Sequence, residues 1–217
     1  MLELDQIYNM DCLEGMKLLP DKCIDLVLTD PPYGIGETNE KNLSRGNWAK
    51  PTDYGHYDWD KQKISKEYFD EMFRVSKNQI IFGGNYYIEY LKNSSCWIVW
   101  DKKNGNNDFA DCELAWTSFK TAVRKFDWRW NGMLQEKPSW KEKRYHPTQK
   151  PVLLMMKIID TYSKENQVIL DPFMGCGSIL IACQKLNRHF IGFEINPDYC
   201  KIAEKDLRIF LRSWRVL

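Results

Sequence analysis

Short apolar runs recur along the chain at Gln6-Ile7-Tyr8, Ile24-Asp25-Leu26-Val27-Leu28-Thr29, Gln79-Ile80-Ile81-Phe82, Trp97-Ile98-Val99-Trp100, Cys112-Glu113-Leu114-Ala115-Trp116, Gln167-Val168-Ile169-Leu170 and Phe190-Ile191-Gly192-Phe193. Their length and their Ile/Val/aromatic content predict buried strands. Between them the spacing turns helical. Asp11 is placed to cap a helix through about Leu18-Leu19, closed by Pro20, and Ser65 to cap one reaching about Val75, with Tyr68, Phe69, Met72 and Phe73 on its apolar face. Further helices are predicted over Asn85 to Leu91, Val152 to Tyr162, Ile179 to Leu186, and from Asn196 or Pro197 to about Leu211. Strands alternating with helices predict an α/β chain. The stretch from Gly34 to Asp60 keeps no period, yet it holds Trp48, Tyr54, His56, Tyr57 and Trp59, too many aromatics for a plain linker.

Composition narrows the class. A chain of 217 residues with 43% hydrophobic and 28% charged residues can form one large α/β domain with a substantial core. No apolar run approaches the roughly 20 residues needed to span a bilayer, and the N-terminus lacks a signal-peptide pattern, so a cytoplasmic protein is expected. Seven cysteines with no CxxC pair fit a reducing compartment rather than a disulfide framework, and none has neighbours at metal-ligand spacing.

The net charge of +1 conceals a segregation. Residues 1–116 carry 13 Lys/Arg against 20 Asp/Glu, residues 117–150 carry 9 against 3, and residues 151–217 carry 9 against 7. The basic middle interleaves its cations with Trp128, Trp130, Trp140 and Tyr145, a composition suited to a polyanion.

Several strands end in an acid. The second delivers Asp30-Pro31-Pro32-Tyr33: a carboxylate, two residues that cannot extend a sheet, and an aromatic ring. The carboxyl ends of strands are where open α/β sheets keep their ligands. Near the other end come a strand, Asp171-Pro172-Phe173-Met174-Gly175-Cys176-Gly177-Ser178, a helix, and a strand ending at Glu194. The glycines allow close approach of a ligand, and an acid at the second strand tip suits ribose hydroxyls. The spacing is neither the dinucleotide GxGxxG, since Leu180 stands three residues after Gly177, nor a phosphate loop. A nucleoside without phosphates fits, S-adenosylmethionine being the common one. Its cationic sulfonium tolerates nearby carboxylates.

With these stretches and His146-Pro147-Thr148-Gln149-Lys150-Pro151, the chain resembles the amino-group DNA methyltransferases, in the beta-class order that puts the Asp-Pro-Pro-Tyr half before the Gly-rich half. The resemblance implies a three-layer Rossmann-like fold with a mostly parallel seven-stranded sheet and an antiparallel hairpin strand supplied around Cys112–Trp116. It implies one methyltransferase domain over 1–217, with a catalytic half (1–116), a short target-recognition segment (117–145) and a cofactor half (146–217). Asp30, Pro31, Pro32 and Tyr33 would be catalytic, Asp30 and the Pro31 carbonyl accepting the amino hydrogens and Tyr33 stacking on a flipped base. Asp11, Asp30, Thr148, Lys150, Asp171, Phe173, Gly175, Gly177, Ser178 and Glu194 would surround S-adenosylmethionine, with helix capping an equal role for Asp11. Arg124, Lys125, Arg129, Lys141, Lys143 and Arg144 are candidates for phosphate contacts. Cys12 and Cys176 are read as packing residues. DNA is the implied partner, in a bacterial or phage-type setting, and a homodimer stays open. The form Asp-Pro-Pro-Tyr leans toward adenine N6. Cytosine N4, an RNA or protein-amide target, and a non-catalytic DNA-binding regulator are the alternatives.

Overall fold

A computed structural model describes residues 2–34, 63–105, 110–131, 134–137, 142–145 and 149–213. Among these residues ten strands form: β1 (Gln6–Asn9), β2 (Ile24–Thr29), β3 (Ser76–Phe82), β4 (Trp97–Asp101), β5 (Cys112–Thr117), β6 (Arg124–Asp127), β7 (Trp130–Asn131), β8 (Leu134–Gln135), β9 (Val168–Asp171) and β10 (His189–Glu194). The helices are α1 (Cys12–Lys17), α2 (Lys66–Val75), α3 (Val152–Tyr162), α4 (Ser178–Lys185) and α5 (Pro197–Ser213).

Eight strands make one sheet in the order β1-β10-β9-β2-β3-β5-β4-β6, and β7 pairs with β8 apart from it. Within the large sheet β5 alone runs against its neighbours, β3 and β4; the other pairings are parallel. The resemblance implies a seven-stranded sheet, and this sheet has eight strands. The extra one, β6, comes from the basic segment and lies beside β4, Ile98 opposite Arg124. Its Arg124-Lys125-Phe126-Asp127 is charged because an edge strand meets solvent, and only Phe126 leans on the core.

Strand periodicity sorts the core into two faces. Leu26, Leu28, Ile80, Phe82 and Trp100 pack toward α3, α4 and α5, whereas Val27, Ile81, Leu170 and Phe193 pack toward α1 and α2. Trp128 and Trp130 are buried in the first layer. Trp100 Nε1 donates to the Trp128 carbonyl at 2.8 Å, so these tryptophans are core rather than surface rings.

Local chemistry departs from expectation in two places. Ser65 stands at the α2 N-cap position but makes no side-chain cap bond. The predicted helix over Asn85–Leu91 is a single 3-10 turn, Gly84–Tyr86, followed by turns. Tertiary contacts override helix propensity there: Tyr87 is fully buried against Phe69, and Tyr86 stacks on Tyr33. Close packing recurs at Gly15 in α1, where a Cβ would stand 2.3 Å from the Phe193 ring. Alanine gains about 1 kcal/mol of helix propensity over glycine, but overpacking costs about 1–3 kcal/mol. Gly15→Ala is therefore expected to lower the unfolding free energy in urea by about 1 kcal/mol, and a stabilised variant would contradict this packing.

Candidate active site

From β2 the chain continues to β3 on one side, and from β9 to β10 on the other, so the order of connections reverses between β2 and β9. Such a switch point opens a crevice beyond the strand ends. A cavity of about 400 Å³ lies there, with Asp11, Asp30, Lys150, Asp171 and Glu194 among its walls. Phe173, Gly175 and Ser178 line it as well. Gly177 does not. It takes φ +83° ahead of α4 and abuts Ala203, where a Cβ would stand 2.8 Å from the Ala203 Cβ. Of the tetrapeptide, Asp30 and Pro32 reach the cavity wall. Thr148 and Lys141 lie outside the described residues, as do Trp48, Trp140, His146 and Pro147.

Each carboxylate is fixed differently. Asp11 caps α1 by accepting from Leu13 N at 2.7 Å, and its other oxygen accepts from the Tyr68 hydroxyl at 3.2 Å. Glu194 accepts from Gly175 N at 3.0 Å and Asn196 N at 2.7 Å, tying the two loops of the cavity together. Burial still holds Glu194 above the usual carboxylate range, against those two bonds. Asp171 is 2% exposed and accepts from Thr29 Oγ1 at 2.8 Å and Phe173 N at 3.2 Å. Burial pushes its carboxyl up to about 7, the two hydrogen bonds opposing and the Asp30 and Glu194 charges adding.

This has a measurable consequence. Between about pH 4 and 7 the folded protein keeps the Asp171 proton that the unfolded chain has released, so this group makes stability fall as pH rises. Above about 7 both states are ionised and the slope ends. Asp171→Asn keeps the oxygen that accepts from Thr29 and Phe173. The wild-type stability minus that of Asp171→Asn should decline by on the order of a few kcal/mol from pH 4.5 to 7.5 in urea titrations. A flat difference would contradict the buried, protonated carboxyl.

Asp30 carries the densest contacts. One carboxylate oxygen accepts from the Tyr33 hydroxyl and the other from the Lys150 ammonium. Burial holds Asp30 above the normal range, although Lys150 pulls the other way. Lys150 is 7% exposed and also reaches Glu113 at 3.1 Å, so its ammonium is committed to two acids. The elbow is braced by the loop that follows β3. Gly83, at φ +64°, lies so close under Tyr33 that a Cβ would stand 2.1 Å from the ring. Tyr86 stacks on Tyr33 with centroids 4.8 Å apart, and the Tyr87 hydroxyl donates to the Pro32 carbonyl.

The remaining candidates lie elsewhere. Arg124 and Arg129 are exposed. Lys125 pairs with Asp101 at 2.8 Å and Asp127 at 3.1 Å, and Lys143 lies over the Tyr145 ring at 4.7 Å. Arg144 is partly buried. Glu142, passed over in the sequence, caps α3 from ten residues away by accepting from Val152 N at 2.9 Å. Cys12 and Cys176 are buried, and burial pushes the Cys176 thiol up to about 12, unsuited to a nucleophile at neutral pH. Among the described residues no helix is long and apolar enough to cross a membrane, and no three His, Cys, Asp or Glu side chains gather as a metal site.

A family model described as DNA methylase, covering N6 and N4 enzymes, matches residues 82–205. The Type II methyltransferase M.HinfI of Haemophilus influenzae is 31% identical over 94% of this chain and 68% of its own length. M.HpaI of Haemophilus parainfluenzae is 29% identical over 91% and 72%. Among solved structures, that of the M1.HpyAVI–SAM complex superposes with a TM-score of 0.58, at 27% identity, over 93% of this chain and 98% of that one.

Proposed function

Since the chain belongs to the N6/N4 DNA methylase family, we propose that it transfers a methyl group from S-adenosylmethionine to the exocyclic N6 of adenine in DNA. The observation that carries this reading is the environment of Asp30, a carboxylate at the cavity wall whose two oxygens are turned to donors, Tyr33 and Lys150. It is set up as an acceptor.

The cavity suits the methyl donor. Its volume of about 400 Å³ falls in the range of small-molecule sites. A Cβ built on Gly175 meets nothing within 4 Å, which leaves that backbone approachable. The acids suit the donor's cationic groups and ribose hydroxyls, and Phe173, Ile195 and Tyr199 offer apolar walls. When bound, S-adenosylmethionine supplies an electrophilic methyl group on a sulfonium. Asp11, Asp171, Phe173, Gly175, Ser178 and Glu194 would hold it, with Gly177 shaping the turn behind them.

The protein's own work is on the base. The lone pair of an exocyclic amino group is delocalised into the ring, so the nitrogen is a weak nucleophile. Asp30 and the Pro31 carbonyl would accept its two hydrogens, draw the nitrogen toward tetrahedral geometry and free the lone pair, a task of positioning and electrostatics. A base inside a duplex cannot reach Asp30, so it must be flipped out, with Tyr33 against its face. Arg124, Arg129 and Lys143 are exposed cations able to meet phosphates. Lys125 is drawn off by its two aspartates.

The choice of adenine rests on Asp, rather than Ser, at the head of the tetrapeptide. Expression in a methylation-free host, followed by digestion of the DNA to nucleosides and mass spectrometry, tests it. N6-methyladenine is expected. N4-methylcytosine instead would overturn the base assignment, and no modified base in either form would overturn the reading.

A further inference from the structure

Counting Asp30, four charged side chains alternate in sign along the carboxyl edge of the sheet. Lys102, just past β4, pairs with Glu113 at 2.6 Å; Glu113 lies 3.1 Å from Lys150; and Lys150 donates to Asp30. All four side chains are mostly shielded, between 7% and 25% exposed. Topology explains the meeting. β5 is the reversed strand, so its beginning, Cys112-Glu113, stands at the edge where the parallel strands end. Just past the paired ends of β4 and β5, Lys102 N donates to the Asp111 carbonyl at 2.9 Å, which sets Lys102 beside Glu113.

A buried ammonium given to Asp30 alone would bind that carboxylate tightly and make it a poor acceptor for anything else. Here the ammonium is divided. We propose that Glu113, supported by Lys102, is a positioning residue for methyl transfer: it holds back part of the Lys150 ammonium, so that Asp30 stays free to accept the amino hydrogens of the target base. This rests on the role given to Asp30 under the proposed function. Among the described residues, the charged and titratable groups facing Asp30 are Lys150 ahead of α3, Glu113 on β5, Tyr33 on the elbow and Asp171 at the tip of β9. Lys102 acts through Glu113. Glu113 itself is held below the usual range because Lys150 and Lys102 outweigh its burial.

The test is the pH dependence of single-turnover methyl transfer to DNA in the wild type, Glu113→Gln and Lys102→Met, with cofactor binding and thermal melting measured on each. The wild type should lose activity at low pH as Asp30 is protonated. In Glu113→Gln a repelling charge is gone and Lys150 falls to Asp30 alone, so this acidic limb should move down by about half a pH unit or more. In Lys102→Met, Glu113 leans harder on Lys150, and the limb should move up. Opposite shifts support the proposal, since a merely structural role would lower activity without separating the two. Unshifted limbs, or shifts in one direction, overturn it. If either variant fails to fold, the limb of the other decides alone. A wild-type enzyme that methylates DNA with no acidic limb overturns the reading of Asp30, and the proposal with it.

Discussion

Asp30→Asn is expected to cut methyl transfer to DNA by about 10²- to 10⁴-fold, the range for removing a positioned proton acceptor. The substitution is nearly isosteric and leaves the Lys150–Glu113 pair in place. It replaces one acceptor oxygen with an NH₂ group that would face the donors now satisfied by Asp30, and that repels the amino hydrogens of a base. Donor binding should change far less, because Asp11, Asp171 and Glu194 stand on the other walls of the cavity. Calorimetry of S-adenosylmethionine binding beside a radiolabelled transfer assay separates the two effects. Wild-type transfer by this variant would end the mechanism. Loss of binding in step with loss of transfer would make Asp30 a cofactor residue.

Gly83→Ala carries the second large effect, and it lies off the cavity wall. An L-residue held at φ +64° costs about 1–2 kcal/mol. The new methyl group would also overlap the Tyr33 ring, which already stacks on Tyr86. Tyr33 must shift, and its hydroxyl bond to Asp30 shifts with it. A displacement of about 1 Å at a catalytic constellation can cost on the order of 100-fold. We expect a rate loss of about 10- to 100-fold, a lowered melting temperature and near-normal donor affinity. Retention of the full rate would show that the bracing of Tyr33 by this loop has no catalytic role.

These two predictions mark what could and could not be read in the chain. Asp30, Asp171 and Glu194 were legible because each ends an apolar run, and strand ends share one edge of a parallel sheet. Gly175 and Gly177 were legible as a turn, though not that only the first would face the cavity. Gly83 was not, since the demand on it comes from Tyr33, fifty residues away in sequence, and no local pattern records that contact. Glu113 looked like any residue of a strand. Its role depends on the direction of β5 and on Lys150, which lies on the cavity wall and pairs with two carboxylates there. Trp128 and Trp130 misled because they sit among Lys and Arg. Both follow the charged edge strand β6 and turn inward, Trp128 meeting Trp100, a contact that the surrounding charges do not announce. Glu142 was invisible because it caps a helix from beyond the helix's own first turn.

The pairing of β1 with β10 has a consequence of its own. The first strand of the chain lies against the last, Asn9 Nδ2 bridging the carbonyls of Glu194 and Ile195 at 2.8 and 3.0 Å. A strand from the first half of the chain and one from the second thus share a ladder. The cavity, meanwhile, depends on β2 and β9, neighbours in space from opposite halves of the chain. Exchanging the two halves in the gene is therefore expected to keep the strand neighbours, which circular dichroism and S-adenosylmethionine binding of the rearranged chain would check. The two ladders that join the halves, β1 with β10 and β2 with β9, are what set the site at one edge.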